Sequence, residues 1–449
     1  MSQSIKKSLI ALTVSSALIA PSAFATNGYF AHGYSTAEKG LAGAGVAHSQ
    51  DAMAIANNPA GIAGMGGRMD IGAAIFNPKR SYTVTGAPTE NPPPNTTFSL
   101  EEGTHDSNLD YFLIPHFAYN WKLDNDSSTA VALYGNGGMN TNYKTGSATF
   151  FDPNSGTYVN PPGTFGNGTT GVDLKQLFVN WSYATKLTQN HSFGASLIFA
   201  YQTFESKGLA SFAPFSDSPN NLSGNGPDSS TGFGVKLGWQ GKVASAVTLG
   251  ASYQSKIAMS EFKDYAGLFA EGGDFDIPAT ASLGIAWKTS KKSTLVFDVQ
   301  SIYYSDVKSL NNAFSNLFTC NPQLPAGDPN KGPGCLGKSG GAGFGWEDMT
   351  VYKLGYEWGD ATTWRVGISN GSQPIPKSEV MFNILAPAVI ETHLTGGFTM
   401  PLGSDSEFAF AAMYAPSTSV TGPNPMDPGQ TIKIEMYQIE LQATYSMMF

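Results

Sequence analysis

The sequence predicts an all-β protein, a transmembrane antiparallel β-barrel of 14 strands, and three observations carry that expectation. First, the stretch from Tyr437 to Phe449 alternates without a break. Tyr437, Ile439, Leu441, Ala443, Tyr445, Met447 and Phe449 share one face, and Gln438, Glu440, Gln442, Thr444 and Ser446 share the other. A period of two turns one set toward an apolar medium and the other toward water, over more than the roughly 9–11 residues a tilted strand needs to cross a bilayer. A lone strand would leave N–H and C=O groups unpaired in lipid, so other strands must close a cylinder with it. Second, the segments joining the alternating runs are short and long by turns. Third, only 13% of residues are charged, 12% are aromatic and 51 are glycine, the composition of a chain that dilutes apolar residues by alternation and uses glycine at turns.

Taken in order, residues 1–25 read as a secretory leader: Lys6 and Lys7 precede an apolar stretch from Leu9 to Ala20, and Ala23-Phe24-Ala25 has the small-x-small pattern of a cleavage site. The mature chain is expected to begin at Thr26. No later stretch approaches the 18 or so unbroken apolar residues of a membrane-crossing helix. Residues 26–67 do not alternate and are rich in glycine, including Gly40, Gly43, Gly45, Gly61, Gly64, Gly66 and Gly67. So short and glycine-rich a segment buries too little apolar area to offset its ordering entropy, and it is better ordered inside something else.

Residues 68–449 are expected to form the barrel. Strands are expected near Met69–Val84, Leu109–Trp121, Thr129–Tyr143, Val172–Leu187, Ser192–Glu205, Thr231–Lys242, Val247–Met259, Pro278–Thr289, Ser293–Ser305, Asp348–Trp358, Thr362–Asn370, Val389–Met400, Glu407–Ala415 and Ile432–Phe449. Short links such as Thr188-Gln189-Asn190-His191 and Gly359-Asp360-Ala361 alternate with long ones, among them Asp306 to Glu347 and Pro416 to Thr431. Outer-membrane barrels have short periplasmic turns and long external loops, so both termini are expected in the periplasm. Aromatic residues fall near strand ends, as interfacial girdles require: Tyr119, Trp121, Trp181, Tyr183, Trp239, Trp287, Tyr303, Tyr304, Trp358 and Tyr445.

The order of several short motifs resembles a known family. Gly40-Leu41-Ala42-Gly43-Ala44-Gly45-Val46-Ala47, then Asp51-Ala52 and Asn58-Pro59-Ala60 ahead of the first strand, are similar to the N-terminal hatch of the FadL/TodX family of outer-membrane transporters for long-chain fatty acids and other hydrophobic compounds. Ile277-Pro278-Ala279-Thr280, Tyr304-Ser305-Asp306, Lys353-Leu354-Gly355-Tyr356-Glu357 and Trp364-Arg365-Val366-Gly367 extend the likeness over nearly the whole mature chain. The resemblance implies a barrel plugged by a hatch over 26–67, in which Gly43, Gly45, Asn58, Pro59 and Ala60 take part. It also implies capture of ligand by apolar loops and sideways delivery into the membrane through a kink in the third strand. The expected partners are a hydrophobic small molecule, outer-membrane lipid and, during insertion, the barrel-assembly machinery, with a monomer as the working unit.

Local chemistry marks the residues to watch. Gly135, Gly137 and Gly138 cluster inside the third strand, where glycines signal either a bulge in the wall or an early strand end. Leu209, Phe212 and Phe215 occupy one long loop and Met259, Phe262, Tyr265, Leu268 and Phe269 the next. The second set has helical spacing, so it is expected to form a short amphipathic helix, and the two loops together to form a first-contact groove, the packed core of a lid, or both. Lys236, Lys353 and Arg365 lie opposite in parity to their strands' aromatic residues and are expected to point into the lumen, as ligand head-group partners or as structural lumen charges. Cys320 and Cys335 share one loop of an exported chain, which favours a disulfide over a metal site.

Other function classes fare worse. The net charge of −9 and the lack of clustered Lys and Arg disfavour nucleic acid. The six histidines are scattered, no phosphate-cradling loop or metal-spaced cluster is present, and neither enzymatic activity nor a cofactor is expected. Two readings compete with fatty acid uptake: passage of aromatic hydrocarbons or alkanes by the same route, and a general porin for hydrophilic solutes. A third, an outer-membrane lipid hydrolase, lacks a recognisable nucleophile and base.

Overall fold

The computed structural model describes residues 27–89, 97–152 and 155–449; the leader expected over 1–25 lies outside the described residues. Fourteen antiparallel strands close on themselves. They are β1 (Arg68–Thr85), β2 (Phe112–Lys122), β3 (Ser127–Asn140), β4 (Gly171–Thr188), β5 (His191–Lys207), β6 (Asp228–Ala244) and β7 (Val247–Gln254). The second half holds β8 (Thr280–Ser290), β9 (Ser293–Ile302), β10 (Met349–Gly359), β11 (Thr363–Gly371), β12 (Thr392–Pro401), β13 (Ser406–Asn424) and β14 (Asp427–Met448). Each strand pairs with the next, and β14 returns to β1 with Arg68 opposite Met448 and Thr85 opposite Thr431. Closure leaves no strand of the ring without a neighbour on each side.

Period two places the faces. In β6, Phe233, Val235 and Leu237 are exposed at 73%, 45% and 57%, while Lys236 between them is 5% exposed and points inward. Exposure of this kind is a liability in water and an asset in hydrocarbon, which is why the apolar set can be the outer one. Trp121, Trp181, Tyr183, Trp287 and Trp358 are exposed on this outer surface. Tyr304 departs from the expected girdle. β9 stops at Ile302, the chain turns inward, and the fully buried Tyr304 hydroxyl accepts a hydrogen bond from Tyr29 N at 3.2 Å.

The connector after β13 also corrects the expectation. Pro416 to Thr431 is not a long loop, because β13 and β14 run on as a hairpin to Asn424 and Asp427 with only Pro425 and Met426 between them. A register shift between Ala415 and Thr418 lets Pro416, which has no N–H to give, sit in a bulge. Beyond it the pairing continues, but serine, threonine and proline replace the apolar alternation on which the sequence reading relied.

Residues 27–67 lie inside the cylinder. A short helix, α1 (Thr36–Gly40), is capped by Ser35, and 3₁₀ turns span Ala52–Ala56 and Pro59–Ile62. Inward side chains around the ring hold this segment. Asp70 of β1 accepts from Ala52 N at 2.8 Å, Asn180 of β4 donates to Ile55 O at 3.1 Å, and Asp298 of β9 accepts from Gly45 N and Val46 N at 2.7 and 2.9 Å. Thr395 of β12 accepts from Ala42 N at 2.9 Å, and Lys39 pairs with Glu440 of β14, both side chains being buried. A buried ion pair adds little net stability but strongly disfavours any register that leaves one partner alone.

Candidate functional site

The long loops converge at one end of the barrel around an apolar cavity of about 30 Å³. Val172 of β4 and Phe204 of β5 form its floor. Leu209, Phe212 and Leu222 come from the loop after β5, Leu268 and Phe269 from the loop after β7, Leu336 and Phe344 from the loop after β9, and Phe382 and Leu385 from the loop after β11. Aromatic edges fit the parts together: Phe204 meets Phe269 at 4.6 Å between ring centroids and Tyr265 at 4.8 Å, and Phe212 meets Phe382 at 5.3 Å. Ligand sites for small molecules usually span about 300–1,000 Å³, so this space admits a ligand only when its aromatic walls part.

The eight loop residues expected to meet ligand are therefore not an exposed patch. Leu209, Phe212, Met259, Phe262, Tyr265 and Phe269 are buried, and Phe215 and Leu268 are half-buried. Leu209, Phe212, Leu268 and Phe269 line the cavity, while Met259, Phe262, Phe215 and Tyr265 stand outside its lining. The expected amphipathic helix is absent. Residues 259–269 hold only a 3₁₀ turn at Lys263–Tyr265, because Phe262 N donates to Gly273 O at 2.9 Å and folds the loop back on itself.

Cys320 and Cys335 form a disulfide whose second cysteine adjoins the cavity residue Leu336. Leu336 N in turn donates to Phe215 O at 2.9 Å, which joins two of the converging loops. A crosslink over a separation of 15 residues is worth about 3 kcal/mol on the chain-entropy account. Cys320→Ser with Cys335→Ser is thus expected to leave the barrel folded while the 303–348 loop becomes susceptible to limited proteolysis, read by the sites of cleavage.

Beside the cavity the wall parts. β2 and β3 pair only from Phe117 opposite Leu133 to Lys122 opposite Ser128. Above this, β2 stays on β1 as far as Phe112, and β3 stays on β4 as far as Asn140. A register shift between Gly135 and Gly137 bends β3 away, so the glycine cluster is a bulge rather than a strand end. The backbone groups exposed on β3 are met from inside. Gly138 N donates to Tyr29 O and Ala31 N donates to Asn136 O, each at 3.0 Å. Gly137 is required there because a Cβ would lie 2.1 Å from Tyr29 O. Beyond the opening Ser107 pairs with Tyr143, and Asn108 N donates to Asn142 O at 2.9 Å. Thr141 links opening and cavity, its N–H donating to Val172 O and its hydroxyl to Leu385 O, at 2.9 and 2.8 Å.

With the geometry in place, comparison with known proteins is decisive for the family. Residues 16–426 match the family model described as outer membrane protein transport protein (OMPP1/FadL/TodX). The chain belongs to the OMPP1/FadL/TodX family. It is a family of transport channels of the outer membrane, not of enzymes. Solved structures share its fold. The Pseudomonas putida toluene transporter TodX aligns at 17% identity over 94% of this chain and 100% of that one, with a TM-score of 0.63. A Pseudomonas aeruginosa FadL homologue aligns at 16% over 94% and 100%, TM-score 0.64, and the Ralstonia pickettii toluene transporter TbuX at 16% over 93% and 99%, TM-score 0.59. At such identities the likeness is one of fold. A search of curated protein sequences found no match.

The three lumen cations of this FadL-family barrel do point inward, yet each is engaged by the N-terminal segment. Lys236 donates to Ala56 O, Lys353 to His32 O and Gly43 O at 3.2 and 3.4 Å, and Arg365 to Gln50, Thr399 and Glu357. Arg365 lies two residues into β11, in a polar cavity of about 260 Å³ with Arg68, Asp51 and Glu407, at the short-turn end and away from the apolar one. In this structure all three hold the lumen segment in place.

Among the residues compared with the family's hatch, Gly43 has φ +81° and a Cβ there would meet His32 O at 1.7 Å; Gly45 donates to Asp298. Asn58 donates to Val46 O and Trp239 O and accepts from Ala60 N, fixing Pro59 and Ala60 against β5 and β6. What the sequence reading missed is the matching seat. Gly194, Gly238, Gly250, Gly355 and Gly367 all face inward, and a Cβ on any of them would lie within 2.6 Å of the segment from Leu41 to Ala60. The signal was present as glycine at inward parity in otherwise regular strands.

Proposed function

We propose that this protein takes up hydrophobic molecules, long-chain fatty acids foremost, across the outer membrane without a covalent step or cofactor. The long loops face the exterior and both termini the periplasm. A ligand enters the aromatic cavity when Phe212 and Phe269 part, moves past the hatch formed by residues 26–67, and leaves sideways between β2 and β3 into the bilayer. The observation that carries this reading is the opening between β2 and β3, set one residue from the cavity through Thr141 and plugged by Tyr29–Ala31. An apolar solute gains roughly 0.8 kcal/mol per CH₂ by staying out of water, so a route from a dry cavity to hydrocarbon needs no energy input.

Aromatic hydrocarbons are the second reading, favoured by the five phenylalanines of the cavity lining, Phe204, Phe212, Phe269, Phe344 and Phe382. A hydrophilic porin is disfavoured by a lumen filled with the N-terminal segment. Mass spectrometry of the molecule that copurifies in a mild detergent extract tests the proposal. Acyl chains or hydrocarbons are expected; recovery of hydrophilic solutes, together with steady high conductance in planar bilayers, would refute it.

A further inference from the structure

Arg80 lies at the upper corner of the opening between β2 and β3, and none of the features discussed so far explains it. It projects inward from β1, is 4% exposed, and has no carboxylate partner among the described residues. The nearby Asp110 gives Oδ2 to Lys79, and its Oδ1 is buried without a hydrogen-bond partner. The guanidinium instead donates to two backbone carbonyls, Asn140 O at the end of β3 and Leu109 O just before β2, and so joins the two sides where the strands have separated. Its Nε is also buried without a partner, as are the Tyr143 hydroxyl and the Asn140 side-chain oxygen in the same corner. The Phe112 ring lies 5.6 Å from the guanidinium carbon.

A buried arginine satisfied only by carbonyls is a weak arrangement, because a cation in a dry site gains far more from a carboxylate that its fork can grip with two parallel bonds. The carbonyls it now holds also belong to opposite edges of the opening. We propose that Arg80 is an anion-released clasp on this opening: the carboxylate of an acyl ligand takes the guanidinium from Asn140 O and Leu109 O, and the upper corner of the seam loosens as the ligand arrives. The idea rests on the uptake reading above and deepens it, since it selects acyl carboxylates over neutral hydrocarbons. The tail then lies toward the cavity, whose Val172 and Leu385 are tied to Thr141, the residue after Asn140. Release is non-covalent, and the Tyr143 hydroxyl is placed to donate to the second carboxylate oxygen.

The test uses purified, folded barrel in detergent, with palmitate and palmityl alcohol as probes and heat-modifiable gel migration to confirm folding. A charge-assisted pair in a dry site is worth more than a factor of ten, so the wild type is expected to bind palmitate at least about tenfold more tightly than the alcohol. Arg80→Met should bring that ratio to about one with alcohol binding unchanged, and Arg80→Lys should restore part of it. Hydrogen exchange at the Ser107 and Asn108 amides should rise in the wild type with palmitate and not with the alcohol. A ratio unaltered by Arg80→Met, or a wild type indifferent to the carboxylate, overturns the clasp while leaving hydrophobic uptake standing. Failure of the wild type to bind either probe overturns the uptake reading and the clasp with it.

Discussion

Deleting residues 31–64 is expected to abolish fatty acid or hydrocarbon uptake, measured with a labelled substrate in whole cells, while the protein still inserts as a folded barrel. The wall does not need the segment to pair. Every strand from β1 to β14 is hydrogen-bonded to both neighbours, and the inward ends of Asp298, Lys353, Asn180 and Lys236 can be hydrated once their partners are gone. The lumen does need it. With the segment removed, Leu41, Ala52–Ala56 and Pro59–Ile62 no longer fill the cross-section, and a wet passage replaces the route on which an apolar ligand stays dry. Ion conductance in planar bilayers should therefore rise from near silence to a steady open level. Normal uptake by the deleted protein would sink the proposal that this segment is part of the path.

Gly137→Val is expected to have a comparable effect from a single side chain. Its Cβ would lie 2.1 Å from Tyr29 O, so the chain at Tyr29–Ala31 must leave the inner side of β3. The bonds from Gly138 N and Ala31 N, about 0.5–1.5 kcal/mol each, go with it, and the branched side chain then occupies the opening itself. The pairing of β3 with β4 on the other side continues through the bulge, so the barrel survives. Uptake should fall to the level of cells lacking the protein, with unchanged heat-modifiable migration of the purified variant. A Gly403→Val control, in the short turn after β12 where a Cβ would meet nothing closer than Ser406 Oγ at 3.8 Å, should show wild-type uptake. If Gly137→Val transports normally, sideways exit between β2 and β3 is wrong.

Much of the architecture was legible because it is local. The alternation that makes Leu441 an outer residue and Glu440 an inner one is written two residues at a time, and the same rule placed Lys236, Lys353 and Arg365 on the inner face. The rule failed in the hairpin beyond Ala415, where the outward Ser417, Ser419 and Thr421 are exposed and polar while the inward Val420, Ile432 and Ile434 are buried, so the apolar face is the inner one and the pattern of the membrane span is inverted. It also misread the apolar loops. Phe262 and Phe269 have helical spacing, but Phe262 N bonds to Gly273 O and folds the loop back, while Phe269 packs in a cavity lined by four loops that are far apart in sequence.

The sequence by itself determined that this chain is a closed cylinder of fourteen strands with a polar interior, because hydrocarbon tolerates no other way to pair a backbone whose side chains alternate. Tertiary structure alone decided what fills that interior, where the seam between β2 and β3 opens, and which side chains guard it. Arg80, the inward glycines and Tyr29–Ala31 acquire their roles only from neighbours tens to hundreds of residues away, and no local period encodes a contact of that range.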